Sequence, residues 1–265
     1  YDVTDQIATV CLSRPYRGNA WTGRMHTEYR HLLQQADQSD EVRVIVVTGS
    51  GERFCVGGDS QALDGHSKSG SYDVGTAPDL AMTGETDFDP FREDFSYHFA
   101  LRKPVIAAIN GAAAGVGLVL ACYADIRFAV PGAKLTTAHG PLNLPAEYGL
   151  SWLLPRLIGG SRAMELLVSS RKFLTDEAHA MGLIHQLMPP ADLIDTVRTY
   201  ALDLVTRVSP EAAYQSKRQT YVDFHRDVGA SVREANDLLD AMVKQSDYKE
   251  AIAAFLERRT ANWTK

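Results

Sequence analysis

The fold of this chain can be derived outward from one stretch of its sequence, KPVIAAINGAAAGVG, which runs from Lys103 to Gly117. Its apolar run from Pro104 to Ile109 predicts a buried strand, and the residues from about Gly115 to Cys122 predict a buried helix. The 20 residues from Pro104 to Tyr123 carry no charge and are about long enough to span a bilayer. Asn110 and the glycines instead favour a strand that turns into a helix inside a globular protein.

The same alternation occurs on both sides of this stretch. Ile7 to Leu12 alternates as a strand does, and Thr22 to Gln38 has apolar residues at helical spacing. Val42 to Thr48 is nearly continuous in β-branched residues, which predicts a strand covered on both faces. Ile126 to Val130 predicts a further strand. Strands and helices at this spacing are typical of stacked β-β-α units, in which each helix covers the strand before it.

From Ser161 onward the pattern becomes helical, and we expect two regions, a core over residues 1–200 and a helical region over 201–265. The long helix predicted over 228–245 carries an apolar stripe that includes Val228, Val232 and Leu239. Such a stripe either belongs to the core or lies against another subunit. A helix is also predicted around Phe91, Phe95 and Phe99.

Composition excludes several classes of protein. The chain has 265 residues, 45% of them hydrophobic, and a net charge of −6, so it is neither disordered nor suited to nucleic acid. The three cysteines are an odd number without paired spacing, which indicates reduced thiols. With no export signal in view, we expect a cytoplasmic protein without membrane contact.

Two glycine clusters each follow a predicted buried strand: FCVGGD at 54–59 and NGAAAGVG at 110–117. Neither is a Walker A loop or a dinucleotide-binding fingerprint. Such turns either direct two backbone N–H groups at one oxygen, as in an oxyanion hole, or only allow tight packing of strand against helix. The polar segment from Gly65 to Gly84 is predicted to be a loop that covers a site.

These clusters, together with further motifs in matching order, resemble the enoyl-CoA hydratase/isomerase, or crotonase, superfamily. The further motifs are VCLSRP at 10–15, KPVIAAING at 103–111, ADIRFA at 124–129 and LPRLIG at 154–159. The resemblance covers almost the whole chain. It implies an α/β fold, a crotonase-like spiral of β-β-α units with a C-terminal helical trimerisation region. It also implies an acyl-CoA substrate and a homotrimer or a dimer of trimers.

The resemblance also assigns roles to residues. Gly58 and Gly115 match the two positions whose N–H groups hold the thioester oxygen. The two glutamates of the family's hydratases are replaced, the first by Val119 and the second by His139. Glu147 falls where dienoyl-CoA isomerases place a catalytic aspartate. We therefore expect His139 and Glu147 to act as the acid/base pair.

Four arginines are candidates for binding the phosphates of coenzyme A. Arg14 and Arg17 lie where relatives meet these phosphates, and Arg258 or Arg259 resembles a basic pair that reaches a neighbouring subunit's ligand. All four could equally be solvated surface residues. Coenzyme A would be part of the substrate rather than a tightly bound cofactor. No two histidines have a metal-binding spacing with acids, so no metal is expected.

Three functional hypotheses follow from this sequence. Isomerisation of an unsaturated acyl-CoA needs one proton carrier and is favoured over hydration, which uses the paired glutamates. The first alternative is a β-diketone carbon–carbon hydrolase of the same superfamily, which needs no coenzyme A and uses histidine and acid. The second is a non-catalytic binding or RNA-associated member, which the net charge of −6 disfavours.

Overall fold

The strands of this protein form two sheets. A computed structural model describes residues 1–71 and 89–264, and all structural statements concern those residues. The larger sheet has the strand order β1-β2-β3-β5-β7-β10 and the smaller one the order β4-β6-β8-β9. The bounds are β1 Asp2–Thr4, β2 Ile7–Leu12, β3 Val44–Gly49, β4 Arg53–Cys55, β5 Val105–Ile109, β6 Ala112–Ala114, β7 Ile126–Ala129, β8 Lys134–Thr136, β9 Phe173–Leu174 and β10 Gln186–Leu187.

From β3 to β8 successive strands alternate between the sheets and so build a spiral. β3, β5 and β7 pair in parallel in the larger sheet, while β4, β6 and β8 pair in parallel in the smaller one. Every residue of β3 and β5 is buried, which explains their continuous apolar sequence. The predicted β-β-α spiral is therefore confirmed.

The helices that complete the described fold mostly match the predicted ones. Their bounds are α1 Gly23–Gln38, α2 Ser60–Ser69, α3 Val116–Tyr123, α4 Leu150–Ile158, α5 Gly160–Ser169, α6 Thr175–Ala180, α7 Leu193–Arg207, α8 Pro210–Asp223, α9 Val228–Met242 and α10 Ser246–Glu257. No helix in the described ranges combines the length and the apolar character that a bilayer crossing needs.

Two predictions around the polar segment change. The helix expected at Phe91–Phe99 is a pair of short 3-10 helices, Asp89–Phe91 and Ser96–Phe99, because Phe95 adopts a left-handed backbone (φ +61°) that a helix interior does not accommodate. The segment predicted as a loop from Gly65 begins within α2. Its remainder from residue 72 to Gly84 lies outside the described residues.

The boundary predicted at residue 200 falls inside α7. The apolar side of α7, including Val197 and Ala201, packs on Val44 and Ile106 of the larger sheet, so this helix is continuous with the core. α9 has no buried residue, and Val228, Val232 and Leu239 are all exposed. The stripe on α9 is thus not part of this chain's own core. Its contact with another subunit stays a prediction.

Candidate active site

A cavity opens where the loop after β4 meets the start of α3, and we call it the catalytic cavity. It encloses about 140 Å³, and its walls come from five parts of the chain. The lining residues that matter for chemistry and shape are Trp21, Gly58, Leu63, His66, Gly115, Val116, Ala138, Leu142, Leu144, Glu147 and Tyr148. Both glycine clusters of the sequence therefore meet at one cavity.

The loop that carries Gly58 is held by the buried side chain of Asn19. Its Nδ2 donates to the carbonyl oxygens of Ser50 (3.0 Å), Arg53 (2.7 Å) and Phe54 (3.2 Å), and its Oδ1 accepts from the backbone N–H of Arg14 at 2.9 Å. Because Asn19 is fully buried, these bonds are shielded from water. They fasten β4, which leads directly to Gly58, and the turn before β4 to the end of β2.

The backbone N–H of Gly58 is directed away from Trp21. The N–H of Trp21 donates to the Gly57 carbonyl at 2.8 Å, and the N–H of Asp59 donates to the Trp21 carbonyl at 2.8 Å. In extended backbone, the N–H between two such groups points to the opposite side, here toward β6 and α3. No bond from this N–H to another residue of the described ranges is present. It is thus placed to donate into the catalytic cavity.

The structure corrects the role predicted for the Gly115 amide. Its N–H donates to the Thr136 carbonyl at 3.1 Å, as a continuation of the pairing between β6 and β8. The next N–H, that of Val116, belongs to the first residue of α3, and first-turn N–H groups have no acceptor within their helix. The helix dipole adds positive potential there. Val116, rather than Gly115, therefore has the N–H that is placed to donate into this cavity.

Gly115 instead makes the turn between β6 and α3. Its backbone has φ +50° and ψ −122°, a conformation that side chains with a Cβ disfavour. A Cβ built there would meet only ordinary contacts, the nearest being Oε2 of Glu147 at 3.8 Å. The backbone angle, and not lack of space, requires glycine. The same distance places the Glu147 carboxylate beside the start of α3.

Glu147 reaches the cavity because the chain bends sharply after it. The short 3-10 helix Glu147–Gly149 contains Tyr148 in a left-handed conformation (φ +49°), followed by Gly149 at φ +73°. Glu147 is the only acidic side chain among the described residues that line this cavity. Glu147 and His66 are thus the two described lining side chains that could move a proton there, and the Glu147 carboxylate is the one beside the start of α3.

His139 does not take the position that the sequence comparison predicted. Its neighbour Ala138 lines the catalytic cavity, whereas His139 is not among the described lining residues and is only 8% exposed. His139 precedes a 3-10 helix, and its carbonyl accepts from the N–H groups of Leu142 and Leu144, both at 3.1 Å. Of the predicted acid/base pair, only Glu147 therefore lines the described cavity, and the backbone carbonyl of His139 bonds within the loop.

Val119, at the position of the family's first glutamate, is buried in the hydrophobic core with 1% exposure. It lies in the middle of α3, one turn after Val116. An aliphatic side chain cannot activate water. The described part of the catalytic cavity therefore lacks the two carboxylates that position a water molecule in hydratases.

Two of the four candidate arginines lie beside the site. Nη1 of Arg14 bonds Oδ2 of Asp59 at 2.9 Å, and Nη2 of Arg17 bonds Oδ1 of Asp59 at 3.4 Å and Oγ of Ser60 at 3.0 Å. The N–H of Gln61, followed by Arg14 and Arg17, lowers the pKa of Asp59, which caps α2. Two positive charges against one negative charge leave a net positive patch next to Gly58.

The other two arginines are at the C-terminal end of α10. Arg259 forms ion pairs with Glu250 at 2.5 Å and Glu257 at 2.7 Å, so its charge is already balanced within this chain. Arg258 caps α10 and is exposed. Neither residue is among those that line the catalytic cavity. Among the described residues no cluster of three His, Cys, Asp or Glu side chains could hold a metal ion.

Several lining residues were not singled out from the sequence. Leu63 and His66 lie three residues apart on α2, hence on one face, and both line the catalytic cavity. Two features of the sequence could have predicted α2 and these two residues: Asp59 as the residue that caps the helix, and the helical spacing of the residues after it. Val116 was missed because spacing alone does not tell which of two successive N–H groups is bonded.

This fold is of the mixed α/β class, and its catalytic cavity has the backbone N–H groups of Gly58 and Val116 and the carboxylate of Glu147 on its walls. The family model of enoyl-CoA hydratase/isomerase matches residues 2–265. The 1,2-epoxyphenylacetyl-CoA isomerase of Escherichia coli is 32% identical, over 97% of this chain and 95% of that protein.

Solved structures agree with this result. An enoyl-CoA hydratase from Polaromonas sp. JS666 has a TM-score of 0.86 and 26% identity, covering 99% of this chain and 98% of that one. An enoyl-CoA hydratase from Mycobacterium tuberculosis H37Rv has a TM-score of 0.85 and 25% identity, and the match covers 99% of this chain and 97% of that one. The chain belongs to the enoyl-CoA hydratase/isomerase family, within the crotonase superfamily, and is an enzyme of that type.

Proposed function

We propose that this enzyme isomerises an unsaturated acyl-CoA by moving a double bond, with Glu147 as the proton carrier. The observation that carries the proposal is the position of one carboxylate, that of Glu147, beside two backbone amides at the start of α3 and after β4. The relative named 1,2-epoxyphenylacetyl-CoA isomerase is consistent with isomerase chemistry, whereas other relatives are named enoyl-CoA hydratases, so the preference rests on the residues of the cavity.

The thioester oxygen of the substrate accepts hydrogen bonds from the N–H groups of Gly58 and Val116. This stabilises the enolate that forms when Glu147 removes the α-proton of a β,γ-unsaturated acyl group. The electron pair of the C–H bond enters the dienolate, and the proton stays on Glu147. When the protonated carboxyl returns it to the γ-carbon, the double bond lies between the α- and β-carbons, and Glu147 is ionised again.

Hydration would need a water molecule activated by a second group. Val119 cannot supply it, and His139 does not line the described cavity. We therefore expect hydration to be slower than isomerisation by a factor of roughly 10² or more. The β-diketone hydrolase hypothesis loses His139 in the same way, and the histidine that does line the described cavity, His66, is on α2 rather than beside Glu147 in the sequence.

The positive patch of Arg14, Arg17 and Asp59 is where we expect coenzyme A phosphates to bind, because it lies next to the oxyanion donor Gly58. Arg17 is 39% exposed in its side chain and can turn toward a ligand. We expect assembly through the exposed apolar residues of α9 and α10, among them Val228 and Phe255, to give the trimer.

A product analysis in D₂O tests the proposed reaction. Purified enzyme is incubated with a β,γ-unsaturated and an α,β-unsaturated acyl-CoA of equal length, and each product is identified by mass spectrometry. Conversion of the first into the second, with little 3-hydroxyacyl-CoA, is expected. Rapid formation of 3-hydroxyacyl-CoA from the α,β-unsaturated substrate, or turnover of a free β-diketone alone, would show another reaction.

A further inference from the structure

A second and larger cavity lies behind the catalytic cavity. It encloses about 410 Å³ between the 3-10 helices at 89–99, the end of α3, α4 and the end of α8. We call it the aromatic cavity, because six of its walls are rings: Phe91, Phe99, Tyr123, Tyr148, Trp152 and His225. A space of this size is in the range of small-molecule binding sites.

The rings of the aromatic cavity are packed against one another and so present fixed faces and edges. Phe99 lies 5.0 Å from Tyr123, and Trp152 stacks on His225 at 5.4 Å with 21° between planes. Phe91 meets Phe99 edge to face at 5.7 Å. Such walls favour an aromatic ligand over an aliphatic one of equal area, because edge-to-face and offset contacts add to the burial of apolar surface.

Tyr148 lines both cavities and lies between them. It directly follows Glu147, and its carbonyl accepts a hydrogen bond from the Tyr123 hydroxyl at 2.7 Å. Its left-handed backbone is therefore held from the side of the aromatic cavity. An acyl group whose reacting carbons lie at Glu147 would therefore have to extend past Tyr148 to reach the aromatic cavity.

The aromatic cavity also contains negative charge. Glu93 and Asp94 are among its walls, and the hydrogen bond from His26 lowers the pKa of Asp94, which keeps this carboxyl ionised near neutral pH. No lysine or arginine is among its described walls. Arg156 lies 4.0 Å over the Trp152 ring and Arg30 helps to lower the pKa of Asp94, so these acids are partly balanced and disfavour a terminal carboxylate only modestly.

Resting on the proposed function, we propose that the aromatic cavity binds the distal end of the acyl group and that the substrate is an acyl-CoA with an uncharged, ring-bearing acyl chain. The side chain that sets this preference is Trp152, with Tyr148 as the partition between the cavities. Neither residue takes part in proton transfer.

Binding of saturated acyl-CoA analogues tests this inference separately from the reaction, because saturated analogues cannot isomerise. Dissociation constants are measured by calorimetry for three of them: one with a terminal phenyl ring, the linear one of equal carbon number, and the linear one that ends in a carboxylate. A four-carbon analogue reports on the catalytic cavity alone. The proteins are the wild type, Trp152→Leu, Trp152→Phe and Trp263→Leu.

Trp263 is the matched control, since it is partly buried and bonds the Thr206 carbonyl at 3.0 Å outside both cavities. We expect the wild type to bind the phenyl analogue roughly ten-fold more tightly than the linear one and to bind the carboxylate most weakly. Trp152→Leu should abolish the preference for the phenyl analogue and leave the dissociation constant of the four-carbon analogue within about two-fold of the wild-type value. Trp152→Phe should retain most of the preference for the phenyl analogue.

Equal affinity of the wild type for the phenyl and linear analogues would overturn the inference. So would a Trp152→Leu variant that weakens the four-carbon and phenyl analogues alike. Absence of isomerisation in the D₂O experiment, with the phenyl preference intact, would instead contradict the proposed reaction and leave the aromatic cavity as a binding site.

Discussion

Two neighbouring residues, Gly115 and Val116, divide between them the two tasks that the sequence assigned to one. Gly115 bonds Thr136 and turns the strand into the helix, while Val116 presents its N–H to the catalytic cavity. The turn needs a positive φ, and only glycine adopts this region at no cost. The hydrogen-bond donor at Val116 is its backbone N–H. The identity of the side chain at this position therefore matters little for that hydrogen bond.

Gly115→Ala tests this division. We expect a loss of about 1–3 kcal/mol in the free energy of unfolding from backbone strain, and a fall in kcat of at least roughly ten-fold as the Val116 N–H moves. Gly182→Ala is the matched control, because Gly182 also has a positive φ (+86°) and open space around it. Urea unfolding should show a lower free energy of unfolding for both variants. Steady-state kinetics should show a lower kcat only for Gly115→Ala.

At the scale of elements, α3 is placed by its close approach to β4. A Cβ on Gly117 would lie 2.1 Å from the Cys55 carbonyl oxygen, so the first turn of α3 rests directly on the strand that leads to Gly58. The two donors of the catalytic cavity therefore sit on elements in direct backbone contact. This contact also explains why the second glycine cluster contains two glycines within three residues.

Gly117→Ala adds only one methyl group, but we expect it to destabilise the folded protein strongly. We expect a loss of at least about 3 kcal/mol in unfolding free energy, because two pieces of backbone must separate. Gly132→Ala, where nothing lies within 4 Å of the added Cβ, should cost only about 1–2 kcal/mol for its positive φ of +71°. Equal stability of the two variants in urea unfolding would contradict the proposed packing.

The elements that were predictable are those with strong local patterns. β3 and β5 are continuous apolar runs, and α1 and α7 to α10 show helical spacing and, in part, capping residues such as Ser209. β6, made of three alanines, was predicted as part of a turn. It becomes a strand only through pairing with Arg53–Cys55 and with β8, which is information that lies elsewhere in the chain.

At the scale of the whole molecule, a buried histidine couples stability to pH. His98 is fully buried and stacks on Tyr29 at 5.6 Å, and burial lowers its pKa to about 3. In the unfolded chain its pKa is about 6.5. Between these values the unfolded state binds a proton that the folded state does not, so stability falls as the pH decreases from 6.5 toward 3.

His98→Phe should remove this dependence. Relative to the variant, the wild type should lose about 2 kcal/mol of unfolding free energy between about pH 8 and about pH 5. The difference between the two proteins near pH 8, where the histidine is neutral in both states, reports the change in packing alone. Parallel pH profiles in urea unfolding would show that His98 is not responsible.

The family and the spiral were predictable because their motifs are spread along nearly the whole chain. The catalytic assignment was predictable only in part. Glu147 and Gly58 line the cavity as the sequence predicts, whereas His139 does not line it and the Gly115 amide is bonded to Thr136; their catalytic roles stay predictions. Burial of a side chain and bonding of an amide depend on the packed structure, which counting along the chain does not include.

The central claim, that Glu147 alone moves the proton, is tested most directly by isomerisation rates of Glu147→Gln and His139→Gln beside the wild type. We predict that Glu147→Gln loses roughly 10²–10⁴-fold in kcat while binding a saturated analogue normally, and that His139→Gln stays within about ten-fold of the wild type. The opposite order, with Glu147→Gln active and His139→Gln inactive, would contradict the account.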